Sequence, residues 1–410
     1  LLRTGVAPDH QTIKNLQAYY EKIFDKHPDN IRFFGNIKIG EEISIDELKP
    51  YYRAIFFCTG SESDRPLQLP GIDLPGVIPS RRMVRWYNTH PHYDIQPAEL
   101  DRDTVGIIGL GNVSIDIARI LLKSPDALAD SDISNKALHI LKKSNVKHVH
   151  LFGRRSPVQS AFTAKEFKEL VTLPDLTVRI DTQGQTLSAT DKAEIETISK
   201  ARSNFEVIQT IPTIDIPVEN PTTKTLTIHY YSQPHAITGD SRVESIRLEK
   251  TQLQGTAGAQ KATGTGEFYE LACDYVFFSI GYVGIAVPGL PFDEYTYTIP
   301  NDHGRILTKN KPLTGLYTAG WIKRGAQGVV GTNRGDAKES VEQFHADLPT
   351  LPEITNTTCI THLLASKNCR WITYKDWLKM NNHELDLGKK QQKIRSKFEN
   401  TASIFSFLDT

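Results

Sequence analysis

Thr104-Val-Gly-Ile-Ile-Gly-Leu-Gly-Asn-Val-Ser-Ile-Asp-Ile-Ala-Arg-Ile-Leu-Leu122 is the stretch on which the fold turns. Val105 to Ile108 form a short apolar, β-branched run, the composition of a strand buried on both faces. Gly109-Leu-Gly111 makes a tight turn, and Ile115, Ala118, Ile120 and Leu122 follow at roughly helical spacing. A strand, a glycine turn and a helix in that order predict a phosphate-binding βα unit. Gly109 permits the turn, Gly111 lets backbone N–H groups approach a pyrophosphate, and the helix N-terminus faces it with its positive end. Ser114 stands where the G-x-G-x-x-G pattern has its third glycine, and it is small enough for close helix–strand packing.

The next informative site lies outward from this unit. Val146 to Phe152 reads as the following strand and ends in Gly153-Arg154-Arg155. A dinucleotide fold that selects NAD places an acidic residue there for the ribose hydroxyls. Two arginines instead offer bidentate charge for the 2′-phosphate of NADP. Gly109 and Arg154 are 45 positions apart, against about 20 in the simple fingerprint. The span Pro125 to Lys143 is therefore expected to be an insertion with its own helix, roughly Ile133 to Lys143.

Composition bounds the class. The chain has 410 residues, 39% of them hydrophobic and 23% charged, with a formal net charge of zero. That is enough apolar material for two or three domains, and it argues against wholesale nucleic-acid binding. No stretch approaches the roughly 18 consecutive apolar residues that membrane spanning takes. Cys58, Cys273, Cys359 and Cys369 form no C-x-x-C pair, and no Cys/His spacing suggests a metal site. A reducing compartment fits this usage best.

The remaining segments are read more coarsely. Asp9 is placed to cap a helix running to about Lys26, with Ile13, Leu16, Tyr20 and Ile23 on one face. Ile31 to Ile39 is expected to form a hairpin around Gly35-Asn36. Ser44 to Glu47 is a capping box, and Ala54 to Gly60 is a buried strand ending in glycine. Residues 61–102 are rich in Pro and Gly and carry one helix, about Ser80 to Asn88. Ala164 to Leu170 is helical, with Glu166 early in it, and a helix is expected over Asp191 to Arg202. Cys273 to Tyr282 repeats the strand-then-glycine pattern of Ala54 to Gly60, which suggests two related lobes. The basic run Lys389 to Lys397 is expected to be a solvated helix face.

Three segments together resemble the adrenodoxin/ferredoxin–NADP⁺ reductase family of flavoproteins. They are Gly109 to Arg119, His150 to Glu166 and Gly315 to Val330, the last containing Gly320-Trp-Ile-Lys-Arg-Gly325; Leu2 to His10 matches an early loop of the same family. The resemblance implies an α/β protein with two Rossmann-like three-layer dinucleotide-binding domains, the NADP domain inserted in the FAD domain. Residues 1–102 and 296–410 would form the FAD side, and 103–295 the NADP side. It implies hydride transfer from NADPH to FAD, then single-electron transfer to an iron–sulfur ferredoxin. The flavin carries that chemistry, so no catalytic side chain and no metal ligand are assigned.

By matching motifs, Gly109, Gly111, Asn112, Val113 and Ser114 would hold the NADP pyrophosphate, and Arg154 and Arg155 its 2′-phosphate. Glu166 would contact the nicotinamide-side ribose. Trp321, Gly328, Val329 and Val330 would lie on the flavin, Gly328 also near NADP, and Leu1 and Ile39 match FAD-contacting positions. No G-x-G-x-x-G fingerprint precedes Gly109, so the chain is expected to enter just after the family's FAD motif, and alone to hold flavin weakly or not at all. The family's basic ferredoxin-docking helix is reduced here to Lys192, Lys200 and Arg202, with Lys323 and Arg324 as further basic candidates. Competing expectations are an NADPH-dependent flavin subunit of the glutamate synthase type, a disulfide reductase, and a non-catalytic NADP-binding module. The absence of C-x-x-C speaks against the disulfide reductase. The resemblance places the protein on the matrix side of the mitochondrion, with peripheral association with the inner membrane as a further expectation.

Overall fold

The computed structural model describes residues 2–91, 99–216, 224–328 and 330–410. The chain forms two compact units. The first comprises 1–23, 66–280 and 380–410, and the second 24–65 and 281–379. The continuous stretch 66–280 is thus inserted, along the chain, between the segments of the second unit. The boundaries expected from sequence are 102 and 295; the Pro/Gly-rich stretch before Thr104 instead belongs with the first unit, because Val77–Pro79 pairs with a strand of its sheet.

The first unit is built on six parallel strands. In chain order we number its strands β1 (Val77–Pro79), β2 (Thr104–Ile108), β3 (His148–Phe152), β4 (Leu176–Asp181), β5 (Lys224–His229), β6 (Ser232–Thr238), β7 (Ser245–Gln254), β8 (Lys261–Ala272) and β9 (Tyr275–Phe278). The parallel sheet has the order β1-β9-β2-β3-β5-β4. β2 and β3 are neighbours despite the long span between them, with Thr104 opposite His148 and Ile108 opposite Phe152. The intervening residues carry the expected extra helix, Asn135–Lys143.

The sheet's two faces separate by the two-residue alternation of a strand. Val105, Ile107, Val149, Leu151 and Ile228 join a buried cluster with the helices α1 (Asn112–Leu122) and α2 (Ala164–Val171). Ile108, Phe152, Val276 and Phe278 face the antiparallel strands β6 to β8, through Ile237, Ile246 and Leu248. Helices, parallel sheet and antiparallel sheet make three layers, the expected α/β class. The helix anticipated over 191–202 is two helices, α3 (Ala189–Thr197) and α4 (Ser199–Ile208), broken at Ile198.

The basic C-terminal run is not a solvated face. Its helix ends at Lys390, and Lys393 and Lys397 turn inward. Lys397 is wholly buried, its Nζ 3.1 Å from Asp132 Oδ2, and Lys14 Nζ lies 2.6 Å from Oδ1 of the same carboxylate. Two buried ammoniums thus share one buried carboxylate. Burial, then the neighbouring Lys14, holds Lys397 well below the ordinary lysine range, against the pull of Asp132. A lysine with a depressed folded pKa binds fewer protons folded than unfolded, from that depressed value up to the ordinary one. Its stability penalty is present in full at low pH and fades as pH rises through that window. Lys397→Met is therefore expected to stabilise the protein by about 1–2 kcal/mol at neutral pH. It should also flatten the rise of stability with pH, as read by denaturant unfolding across neutral and alkaline pH.

The second unit holds a four-stranded sheet in the order Ile55–Phe57, Lys311–Thr318, Arg305–Thr308, Asn301–Asp302. The first pair is parallel and the others are antiparallel. Ile45, Phe57, Ile299, Ile306, Leu316 and Ile322 form its core, and the Ser44–Glu47 capping box is present as expected. Ile31 to Ile39 forms no hairpin: Gly35 instead bridges Ile372, and Ile39 bridges Ile43. The long-range partner satisfies the Gly35 backbone groups, so the local turn is not needed.

Candidate functional site

The Gly109–Gly111 turn sits at the carboxyl end of β2, where parallel α/β sheets bind ligands. Its two glycines are there for different reasons. Gly109 has φ +114°, and a β-carbon on it would lie 2.2 Å from the carbonyl oxygen of Ser279. Gly111 has φ −97° and caps α1, and a β-carbon there would meet nothing within 4 Å. The first glycine is required by the fold. The second leaves open space over the uncapped first turn of α1, whose N–H groups point outward.

Asn112 turns away from that space and accepts a hydrogen bond from Thr163 N at 2.8 Å. Val113 packs against the helix-side core. Ser114 is fully buried at the β2–α1 junction, its hydroxyl without a hydrogen-bond partner, so its smallness serves packing as the motif implies.

Arg154 and Arg155 follow directly on β3, beside the glycine turn, since Gly153 packs on Leu110. Their carbonyls are tied down: Arg154 O accepts from Thr251 Oγ1 at 2.8 Å, and Arg155 O from Tyr231 N at 3.1 Å. The Arg154 side chain is exposed and that of Arg155 half-buried. Burial, then the adjacent Arg154, lowers the Arg155 pKa, and Glu194 opposes this. Two like charges held side by side at a strand end are a standing cost that a dianionic phosphate relieves.

Glu166 lies in the first turn of α2, and its position reveals a residue with no motif of its own. His10 Nε2 is 3.1 Å from Glu166 Oε2 and 3.0 Å from Glu169 Oε2. Its Nδ1 is 3.8 Å from Asp116 Oδ1 on α1. Asp9 does not cap a helix as expected. Its carboxylate is buried and accepts from Arg119 Nε at 2.9 Å and Nη2 at 3.0 Å. The predicted helix breaks into Gln11–Lys14 and Gln17–Lys26. Burial opposes ionisation of Asp9, yet the Arg119 guanidinium holds it far below the usual carboxylate range. This anchor fixes the loop that presents His10 between carboxylates of α1 and α2. His10, Glu166 and Glu169 are also the one group among the described residues with three metal-ligand-type atoms within 4.8 Å of one another.

The second unit holds the other predicted positions. Trp321 opens the short helix Trp321–Arg324, and its Nε1 donates to Gln327 O at 3.0 Å. Ile39 packs against the core that contains Ile322. Gly328 has φ +76° and sits beside Thr332. Val330 begins the turn Val330–Thr332. Leu1 and Val329 lie outside the described residues. At Gly325, Gly331 and Gly335 an added β-carbon would meet nothing within 4 Å, so packing does not demand glycine there.

Four of the expected docking cations are engaged within the fold. Lys323 is buried with Asp336 at 3.0 Å and Glu339 at 2.5 Å, and Arg324 donates to Asn333 Oδ1 at 2.6 Å. On α4, Lys200 donates to Ala161 O, and Arg202 to Ile195 O.

The chain is 34% identical over 412 residues to a mitochondrial NADPH:adrenodoxin oxidoreductase of Arabidopsis thaliana, covering 97% of this chain and 85% of that protein. It is 35% identical over 414 residues to NADPH-ferredoxin reductase FprA of Mycobacterium tuberculosis, covering 98% and 88%. The solved structure of Mycobacterium tuberculosis FprA in complex with NADPH superposes with a TM-score of 0.91, covering 100% of this chain and 90% of that one. No family model matches the chain.

Proposed function

The chain belongs to the family of NADPH:adrenodoxin and NADPH–ferredoxin oxidoreductases, and from that premise we propose how its residues divide the work. It is an NADPH-dependent flavoprotein oxidoreductase that passes reducing equivalents to an iron–sulfur ferredoxin. FAD, when bound, supplies the conversion of a hydride into single electrons.

The protein's own part is to bind, orient and hold charge. The first-turn N–H groups at Val113 and Ser114, over the opening at Gly111, receive the NADP pyrophosphate. Gly109 shapes the turn, and Asn112 ties it to the loop ahead of α2. Arg154 and Arg155 hold the 2′-phosphate. Glu166, 3.1 Å from His10, meets the nicotinamide-side ribose. In the second unit Trp321, Gly328, Val329, Val330 and Ile39 serve the flavin, and Leu1 is assigned to the same ligand. The open positions at Gly331 and Gly335, which no positive φ explains, fit the approach of a flat ring edge to backbone. The stretch 66–280 of the first unit thus serves NADP, and the unit of 24–65 and 281–379, with Leu1 of the first unit, serves FAD. The observation that carries this division is the pairing of an uncapped glycine–helix turn on β2 with two arginines at the end of neighbouring β3.

Placement in the mitochondrial matrix is proposed from the Arabidopsis thaliana and Rattus norvegicus relatives, set against bacterial relatives of equal identity. Among the described residues no helix is long and apolar enough to cross a membrane.

Anaerobic mixing of the FAD-loaded protein with NADPH is expected to bleach the visible flavin absorbance. Addition of an oxidised iron–sulfur ferredoxin should then restore it. NADPH binding without bleaching, or bleaching that no ferredoxin reverses, would contradict the assignment.

A further inference from the structure

Behind the arginine pair lies a polar network that no motif announced. α3 presents two buried carboxylates one turn apart, Asp191 and Glu194. Each accepts from the same two glutamine amides. Gln159 Nε2 donates to Asp191 Oδ1 at 2.9 Å and to Glu194 Oε2 at 2.8 Å. Gln260 Nε2 donates to Asp191 Oδ1 at 3.0 Å and to Glu194 Oε1 at 2.9 Å. Carboxylates only accept, so both amides must turn their nitrogens inward. The oxygen of Gln159 then faces Ser156, accepting from its N at 3.2 Å and lying 2.6 Å from its Oγ. The hydrogen-bonding capacity of the Gln159 amide is thereby filled.

These bonds lock a specific piece of chain. Ser156 to Gln159 is the capped turn that directly follows Arg154 and Arg155. Arg155 Nη2 rests on Gln159 O at 3.4 Å. On the far side, Gln260 and the backbone N of Gly258, 2.8 Å from Glu194 Oε1, belong to the tip joining β7 and β8. α3 therefore clamps the arginine-bearing turn and the β7–β8 tip to each other. Burial alone would raise the pKa of Asp191, but donors from Gln159, Ser188 and Gln260 outweigh it and hold the carboxyl ionised. A buried anion pair saturated by neutral donors is a rigid, low-entropy support, and Glu194 adds negative charge that offsets the crowding of the two guanidiniums.

We propose that Asp191 and Glu194 are positioning residues that set the preference for the 2′-phosphate, by fixing through Gln159 the turn that carries Arg154 and Arg155. The proposal rests on the assignment of those arginines to the 2′-phosphate. Its test is calorimetric titration of the full chain with 2′,5′-ADP and with 5′-AMP, ligands that differ only in that phosphate. Asp191→Asn and Glu194→Gln are each expected to weaken 2′,5′-ADP about tenfold while 5′-AMP changes by less than about twofold. Gln260→Ala, which loosens the clamp from the hairpin side, is expected to act in the same direction and carries the test if Asp191→Asn fails to fold. Equal losses for both ligands, or unchanged 2′,5′-ADP affinity in folded variants, would overturn the proposal. Arg155→Ala separates the two levels. If it discriminates between the ligands and the carboxylate variants do not, the positioning role alone fails; if it does not discriminate, the 2′-phosphate assignment fails and takes the proposal with it.

Discussion

Replacing Arg154 and Arg155 together by alanine is expected to lower kcat/KM for NADPH about a thousandfold and to leave that for NADH within about threefold. Each charge-assisted hydrogen bond to a phosphate is worth roughly 1.5–3 kcal/mol, so losing one from each guanidinium totals about 3–6 kcal/mol, a range that contains the roughly 4 kcal/mol of a thousandfold change. The two residues do not share the effect equally. Arg154 is exposed, so solvent and salt screen its charge, whereas Arg155 is half-buried and braced on the Gln159 carbonyl. Arg155→Ala alone should therefore account for most of the loss. The wild-type preference for NADPH should also shrink as ionic strength rises. Steady-state kinetics with both nucleotides at low and high salt measure this. Parallel losses for NADPH and NADH would mean that the pair serves the turn's structure and not the phosphate.

The second large effect separates the two glycines of one motif. Gly109→Ala places a β-carbon 2.2 Å from a backbone carbonyl at φ +114°. Neither the turn nor β9 can yield without breaking the sheet, because Ser279 N is itself bonded to Ile108 O and Gly109 N to Phe152 O. A loss of about 3–5 kcal/mol is expected, enough to leave little folded protein. Gly111→Ala meets no atom within 4 Å at an ordinary φ. It should leave the melting midpoint nearly unchanged and weaken NADP⁺ binding about tenfold or more, because the methyl group occupies the space over the first-turn N–H groups. Thermal unfolding and calorimetric titration on both variants check the pair. A stable Gly109→Ala, or a Gly111→Ala with undiminished binding, would contradict these roles.

Much of the site is legible in local sequence. Val105 to Leu122 and His148 to Arg155 are strongly patterned, and each is shaped by short-range constraints: buried strand, glycine turn, helix start, strand end. His10 ends the Leu2–His10 segment that matches the family, yet nothing local shows what its side chain meets. Its partners Asp116, Glu166 and Glu169 lie more than a hundred positions away, on α1 and α2. Asp9 misleads for the same reason: an acid after proline resembles a helix cap, and the distant Arg119 and Lys123 claim it. Lys323 and Lys397 resemble surface charge, since a lone lysine in sequence carries no sign of a buried carboxylate waiting for it.

Contiguous periodicity and motif spacing suffice for the α/β class, the glycine turn after β2 and the arginine pair after β3, and the resemblance of three segments supplies the family. They say nothing of which distant segments meet. That β2 and β3 are neighbours across the insertion, that Gly109 is obligatory while Gly111 is open, and that His10 stands among three carboxylates are all properties of the folded chain. So is the bracing of the arginine turn by Asp191 and Glu194. The physical reason is common to all of these. Each depends on residues far apart in the chain coming together, and the desolvation that makes their interactions strong exists only once the chain has folded around them.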